Sequence, residues 1–225
     1  MKKIRVISIA LVTSLMLMGA GYAKWDDNLV INGTVATGEF NVNFVEDDTY
    51  PSACGSEDVN SSVQIIGEKA HTVQVSLTNL YPGSWAAFRV TGINSGTIPV
   101  KLDDFKVEFN GDRKLLAYLT YDAGLTIDAD GDNVIDKETK KISGNLENIA
   151  SDFNAEIKES LSDLKMEPNG KGNFSLNVPE EKADDLNGDG SAEKYIIIHF
   201  DKDAPPDTQM KTLTFTLTTN FKQDN

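Results

Sequence analysis

A strict two-residue alternation near the end of the chain constrains the fold most strongly. From Thr212 to Thr218, threonine alternates with leucine and phenylalanine, so an extended segment has one apolar and one polar face. Such alternation is typical of a β-strand with one buried and one solvated face. The same pattern recurs in residues 29–35, 40–44, 73–77, 105–109 and 174–178. Gly, Pro, Asn and Asp clusters separate these segments, so the sequence predicts a mainly β protein, an antiparallel jelly roll or β-sandwich.

Two segments differ from this alternation. Ile196 to Ile198 form an uninterrupted apolar run, which predicts a strand buried on both faces. The other segment is helical, because its apolar residues are spaced three or four positions apart: Leu146, Ile149, Phe153, Ile157, Leu161 and Leu164. The pattern predicts a helix over about 145–166, ended by Pro168 and Gly170. We expect this helix to cover an end or open face of the sandwich rather than to bind a partner, because its opposite face is polar.

The first 23 residues have the pattern of an export signal. Lys2, Lys3 and Arg5 precede an apolar run from Val6 to Met18, and small residues precede a cleavage point after Ala23. The apolar run is short for a membrane span, and no basic cluster follows it. The sequence therefore predicts a signal peptide over 1–23, removed by a signal peptidase, and a single domain over 24–225. We expect the mature chain to be secreted, without a stable membrane anchor.

Charge and cysteine content limit the partners of this domain. Lys and Arg number 21 against 35 Asp and Glu, which gives a net charge of −14 for the 225 residues. This balance, without any basic cluster, argues against nucleic-acid binding. The single cysteine, Cys54, excludes an intrachain disulfide but leaves a disulfide between chains open. A small residue in a loop is the simpler interpretation of Cys54.

Two acidic loops have the spacing of calcium ligands. Oxygen-bearing groups fall at relative positions 1, 3, 5, 7 and 9, where position 7 contributes its backbone carbonyl. The first loop offers Asp128, Asp130, Asp132, Val134 and Asp136, and the second offers Asp185, Asn187, Asp189, Ser191 and Glu193. Position 6 needs a residue that tolerates positive φ, which Asn133 and Gly190 do. The EF-hand glutamate is missing, since position 12 is Thr139 or Ile196. We expect both loops to bind calcium; the alternative is a solvated hairpin turn, because Asp-Gly and Asn-Gly also form turns.

No catalytic constellation is recognisable. His71 and His199 are the two histidines, and neither lies in a zinc-binding H-E-x-x-H pattern. The sequence contains no nucleophile elbow, phosphate-binding loop or dinucleotide fingerprint. We therefore expect a protein that is not an enzyme.

Several motifs, taken in order, resemble the TasA/camelysin family of exported proteins, whose signal peptides are cut by a dedicated SipW-type peptidase. The resembling segments are GAGYAKW at 19–25, LVINGTV at 29–35, TGE at 37–39, LTNLYPG at 77–83, NSGTIPVKL at 94–102 and LTFTLT at 213–218. The region 121–203, with the helix and both acidic loops, matches less well and is interpreted as an insertion.

The resemblance implies a jelly-roll protein of a biofilm matrix or cell surface, which polymerises head to tail by donor-strand exchange. The donor would be the segment freed by cleavage, with Leu29, Ile31 and Val35 as anchors and Gly33 allowing close approach. Alternatively, this segment pairs within its own domain and the protein is a monomer. Two other functions stay open: a camelysin-like surface metalloprotease, and an adhesin-type module that binds glycan or protein through Trp85 and Tyr81.

Overall fold

The computed structural model describes Val12 and residues 38–45, 50–54, 59–67, 71–177 and 195–223, and for 50–54 it describes the backbone alone. The described strands form two antiparallel sheets, which confirms the mainly β sandwich. The strands are β1 (Val42–Phe44), β2 (Tyr50–Cys54), β3 (Asn60–Ile66), β4 (Thr72–Leu80), β5 (Trp85–Asn94), β6 (Val100–Gly111), β7 (Leu119–Asp128), β8 (Lys137–Glu138), β9 (Ile142–Asn145), β10 (Asn173–Asn177), β11 (Ile196–Phe200) and β12 (Lys211–Gln223).

The smaller sheet has the order β3-β4-β12-β6. Its inner face is made by the alternating apolar residues that the sequence indicates. Leu213 and Phe215 of β12 are completely buried, and so are Val73 and Val75 of β4. Threonines fill the outer face of β12, where Thr214 lies 3.2 Å from the Ser76 hydroxyl of β4. The two-residue period of the sequence thus gives β12 one buried apolar face and one polar face.

In the larger sheet, three pairs of short strands act as interrupted long strands. Both β10 and β11 pair with β5 on one side and with β7 on the other, so they lie end to end between these two strands. Likewise β1 and β2 both pair with β5, and β8 and β9 both pair with β7. Ile196, Ile197 and Ile198 of β11 are all buried, which confirms the prediction for this run.

The region 121–203 belongs to the framework of the sandwich. It contains most of β7, all of β10 and all of β11, which occupy the middle of the larger sheet. Phe174 and Leu176 of β10 point into the core and are almost completely buried. This region therefore supplies core strands in addition to the loops and helix for which the sequence singles it out.

The helical segment is shorter than the sequence predicts. It consists of a 3-10 turn (Leu146–Asn148), helix α1 (Ile149–Glu156) and a π-turn (Ile157–Leu161). It ends before residue 166 because Met166 is held in a β-bridge, with its amide donating to the Val100 carbonyl at 2.8 Å. A tertiary partner, distant in sequence, thus stops the helix early.

Helix α1 closes one side of the sandwich, as expected from its apolar face. Phe153 packs against Phe105 of β6, with ring centroids 5.4 Å apart, and against Tyr121 of β7 at 6.5 Å. The next residue, Asn154, accepts a hydrogen bond from the Phe105 amide at 2.7 Å and donates to the Phe105 carbonyl at 2.9 Å. The helix therefore joins the two sheets and covers the outer edge of β6 at Phe105.

The chain divides into two units between Thr37 and Gly38, and the sandwich belongs to the second unit. The predicted signal peptide 1–23, apart from Val12, and the predicted donor residues 29–35 lie outside the described residues. Within the part of the chain that is described, no helix has the length and apolar character needed to span a membrane.

Candidate functional site

The first acidic loop is the connection of a β-hairpin in the larger sheet. Strand β7 ends at Asp128 and pairs with β8, with Ile127 opposite Lys137. Asp128 is only 3% exposed, whereas Asp130 and Asp136 are exposed. The sheet thus fixes one carboxylate at the base of the loop, and the loop brings others over it.

Three of the predicted ligands converge. Asp128, Asp130 and Asp136 each offer one carboxylate oxygen, and these oxygens lie within 4.8 Å of one another. Asp132 lies outside this group, and its carboxylate accepts a hydrogen bond from the Val134 amide at 2.8 Å. Oxygen ligands grouped in this way suit a hard cation such as Ca²⁺. Calcium binding, and ligation by Asp132 and the Val134 carbonyl, remain predictions.

Hydrogen bonds from the loop's own backbone hold this arrangement. Asp128 accepts from the amides of Gly131 at 2.7 Å and Asn133 at 3.0 Å, and Asp136 accepts from the amide of Ala129 at 2.7 Å. Asn133 has a φ of +66°, as predicted for position 6. Because backbone donors already orient two of the carboxylates, the loop is preorganised before any ion is considered.

The second acidic loop, with Asp185, Asn187, Asp189, Ser191 and Glu193, lies outside the described residues. In the chain it falls between β10 and β11, the two halves of the interrupted central strand. Its calcium binding stays a prediction from the sequence.

The first loop opens onto a cleft of about 690 Å³ on the outer face of the larger sheet. Its floor is polar: the Thr91 and Ser175 hydroxyls lie 2.9 Å apart, and the Asn177 amide donates to the Thr126 hydroxyl at 3.1 Å. Asp128 and Asp136 line one part of this cleft. No sequence motif marks the floor residues, because their pattern in the sequence is that of an ordinary solvated strand face.

A second cluster of polar side chains lies further along the outer face of the larger sheet. Asp122 receives hydrogen bonds from Ser143 and from Lys141, and its Oδ2 lies 3.2 Å from His199 Nε2. Although burial raises the pKa of Asp122, these hydrogen bonds and positive charges outweigh it and hold the pKa below its usual value. His199 is therefore a strand histidine paired with a carboxylate. No histidine belongs to the candidate metal cluster found among the described residues.

The remaining residues singled out from the sequence lie in a turn (Tyr81) and in strands (Trp85 and Cys54). Tyr81 is partly buried against the core and begins a turn in which Gly83 has a φ of +86° and the Ser84 amide donates to the Tyr81 carbonyl at 2.9 Å. Trp85 is half-buried at the start of β5, and the Cys54 backbone pairs with Ala86.

Comparison with known proteins gives no match to this chain among family models, curated proteins or solved structures.

Proposed function

We propose that the chain is a secreted structural protein that polymerises head to tail into extracellular fibres by donor-strand exchange. The freed N-terminal segment of one subunit adds a strand to the sandwich of the next. The resemblance to the TasA/camelysin family is the sequence basis of this proposal. The structural observation that supports it most directly is an open edge in the smaller sheet.

Strand β3 forms this open edge. It pairs with β4 along one side, and no second described strand forms a ladder with it. Val63 and Ile65 face the core but remain half-buried, whereas their partners Val75 and Val73 on β4 are completely buried. An added strand would pair along the second side of β3 and cover the apolar side chains of Val63 and Ile65, so this edge suits an incoming β-segment.

The opposite edge of the same sheet, formed by β6, is covered at Phe105. At Phe105 of β6, the Asn154 amide group makes the two hydrogen bonds that a neighbouring strand would make. Covering an edge in this way prevents unwanted strand pairing. Since the protein blocks β6 at this point and leaves β3 open, we assign β3 as the acceptor.

The donor segment supplies the complementary pattern. Leu29, Ile31 and Val35 share one face of an extended segment with Gly33, and polar Asn28 and Asn32 lie on the other face. Because each subunit donates at one place and accepts at another, the exchange is head to tail. Such contacts do not close on themselves and therefore produce a filament.

Replacing Ile31 by aspartate is expected to abolish fibres, because the change places a charge on the apolar face that enters the next subunit. Asn32→Asp is the matched control, since it adds the same charge on the opposite face and should leave the fibres intact. Deleting residues 24–35 from the mature chain should act like Ile31→Asp. Fibres are measured by negative-stain microscopy and by sedimentation.

Hydrogen exchange in the fibres tests the acceptor. Amides of β3 should gain protection on assembly, while the amide of Phe105 should change little. Fibres that form unchanged after deletion of 24–35 would refute donor-strand exchange. Protection gained along residues 107–111 of β6, without any gain in β3, would show that the acceptor edge is wrongly assigned.

We further propose that the Asp128–Asp136 loop binds calcium and stabilises the subunit. Three carboxylates held close together repel one another, and a divalent cation would remove this repulsion while gaining their oxygens as ligands. Binding to the folded state alone stabilises a protein by about 2.7 kcal/mol when the free ion exceeds its Kd a hundredfold.

Millimolar calcium is therefore expected to raise the Tm of the mature chain by roughly 5–10 °C relative to the chelated protein, measured by calorimetry. Asp130→Asn and Asp136→Asn should lose most of this shift, because each removes a charged ligand at an exposed position. Asp163→Asn is the control, since Asp163 is exposed and distant from the cluster in sequence.

An equal Tm in calcium and in chelator would refute the calcium site. Asp132→Asn separates the two ligand sets: a retained calcium shift supports the three-carboxylate cluster of the structure. Loss of the shift would show that the loop rearranges to the five-ligand set suggested by the sequence.

A further inference from the structure

The cleft beside the carboxylate cluster has features of a ligand site that the fibre proposal does not use. It occupies about 690 Å³, within the usual range for small-molecule sites. Its floor is the outer face of β5, β10 and β7, and the loop after β7 forms part of its wall. Because the floor is a sheet face and not an edge, side chains rather than backbone groups would recognise a ligand here.

Asn177 is the first sign of a missing partner. The residue is 3% exposed, lines the cleft, and has a buried Oδ1 with no hydrogen-bond partner. Its Nδ2 is already used by the Thr126 hydroxyl. Rotating the side-chain amide of Asn177 by 180° would pair Oδ1 with the Thr126 hydroxyl but would leave Nδ2 without a partner. A buried polar atom without a partner is costly, so a ligand hydroxyl in the cleft would satisfy it.

Arg89 is the second sign. It lines the same cleft from β5, its Nε is buried without a hydrogen-bond partner, and no described carboxylate forms an ion pair with it. This is unexpected in a chain in which acidic residues outnumber basic ones. A guanidinium group binds carboxylates well, because its donors match their two oxygens. Arg89 therefore indicates a ligand that carries a carboxylate.

The charge of the cleft makes the binding of an anionic ligand depend on the cation. Two cationic side chains, Arg89 and Lys137, and three acidic ones, Asp128, Asp136 and Glu138, line it, so its formal charge is −1. Asp130, which completes the carboxylate cluster beside the cleft, makes the sum −2, and a divalent cation on the cluster would change it to zero. An anionic ligand is consequently repelled less when the cation is bound, and the ligand's oxygens can then coordinate the cation.

We propose that this cleft binds an acidic saccharide, a sugar chain carrying uronate carboxylates, in a calcium-dependent manner. Arg89 binds a carboxylate, and Asn177 and the neighbouring hydroxyls bind sugar hydroxyls, which both donate and accept. The calcium dependence rests on the proposed calcium site. An acidic peptide fits less well, since an extended peptide is bound through its backbone at a sheet edge, whereas the floor of this cleft is a sheet face with an apolar lining limited to Val45, Ile93 and Ile135.

The test is calorimetric titration of the mature chain with a galacturonic acid tetramer, in calcium and in chelator. We expect binding in calcium and none in chelator. Arg89→Met should weaken binding about tenfold or more, because it removes the charged donor and keeps an apolar stem of similar length. Arg113→Met is the matched control, as Arg113 is exposed and does not line the cleft.

Asn177→Leu separates a binding role from a structural one. If the amide serves a ligand, this variant loses binding while its Tm is unchanged or higher, because an unsatisfied buried atom has been removed. A lower Tm with binding retained would overturn the proposal.

Three further outcomes would also overturn it: full binding of the tetramer's methyl ester, equal binding in chelator, and binding of polyglutamate in place of the saccharide. A calcium-induced rise in Tm without any saccharide binding would refute this inference alone and leave the calcium proposal standing.

Discussion

Phe153→Ala is expected to destabilise the sandwich by about 3–5 kcal/mol, the range typical for truncation of a fully buried phenylalanine. The ring is 1% exposed and packs between Phe105 of the smaller sheet and Tyr121 of the larger one. Tyr121 also donates to the Asp152 carboxylate at 2.7 Å, and burial raises the pKa of its phenol above the usual value. Little space is available for these groups to close a cavity, so most of the cost should appear in the free energy of unfolding.

Urea unfolding of the mature chain, followed by circular dichroism, measures this loss. Phe109→Ala is the matched control, because Phe109 lies on the same strand as Phe105 but is half-buried. It should cost about half as much, since less apolar area leaves water. Equal costs for the two variants would contradict the central role of helix α1 in joining the sheets.

Much of the fold is predictable because its period is local. The alternation in β12, the apolar run of β11 and the three-to-four spacing of α1 each reflect which side chains face the core, and neighbouring residues determine this. The end of the helix is not predictable in this way. Leu164 continues the helical pattern, but the pairing of Met166 with Val100 holds the chain extended. The competing partner is 66 residues away, so no local pattern indicates it.

The candidate site is predictable in outline and not in detail. The spacing of the acidic loop indicates convergent carboxylates and the positive φ of Asn133. It does not show that Asp132 turns back onto the Val134 amide, because short acidic side chains bond the backbone two residues on as readily as they bind ions. Arg89 and Asn177 belong to no motif. They meet only because β10 lies beside β5, a pairing between strands distant in sequence.

Gly131→Ala is expected to disable the candidate calcium loop. Gly131 has a φ of +78°, and a Cβ at this position would lie 2.8 Å from the Lys171 carbonyl oxygen and 2.9 Å from the Lys171 Cα. The left-handed backbone alone costs alanine about 1–2 kcal/mol, and the contact with backbone atoms cannot be relieved by a rotamer change. The loop must therefore move away from Lys171, which displaces the Gly131 amide from Asp128.

We expect Gly131→Ala to lose the calcium-dependent rise in Tm, because the carboxylates of Asp128 and Asp130 flank the displaced residue. Gly170→Ala is the matched control. Its φ is +76°, so it carries the same backbone cost, but the nearest contact of its Cβ is the end of the Ile93 side chain at 3.8 Å. Calorimetry in calcium and in chelator should show the full shift for Gly170→Ala. A full shift for Gly131→Ala as well would mean that the ion does not depend on the close approach of this loop to Lys171, and the Asp128–Asp136 cluster would no longer account for calcium binding.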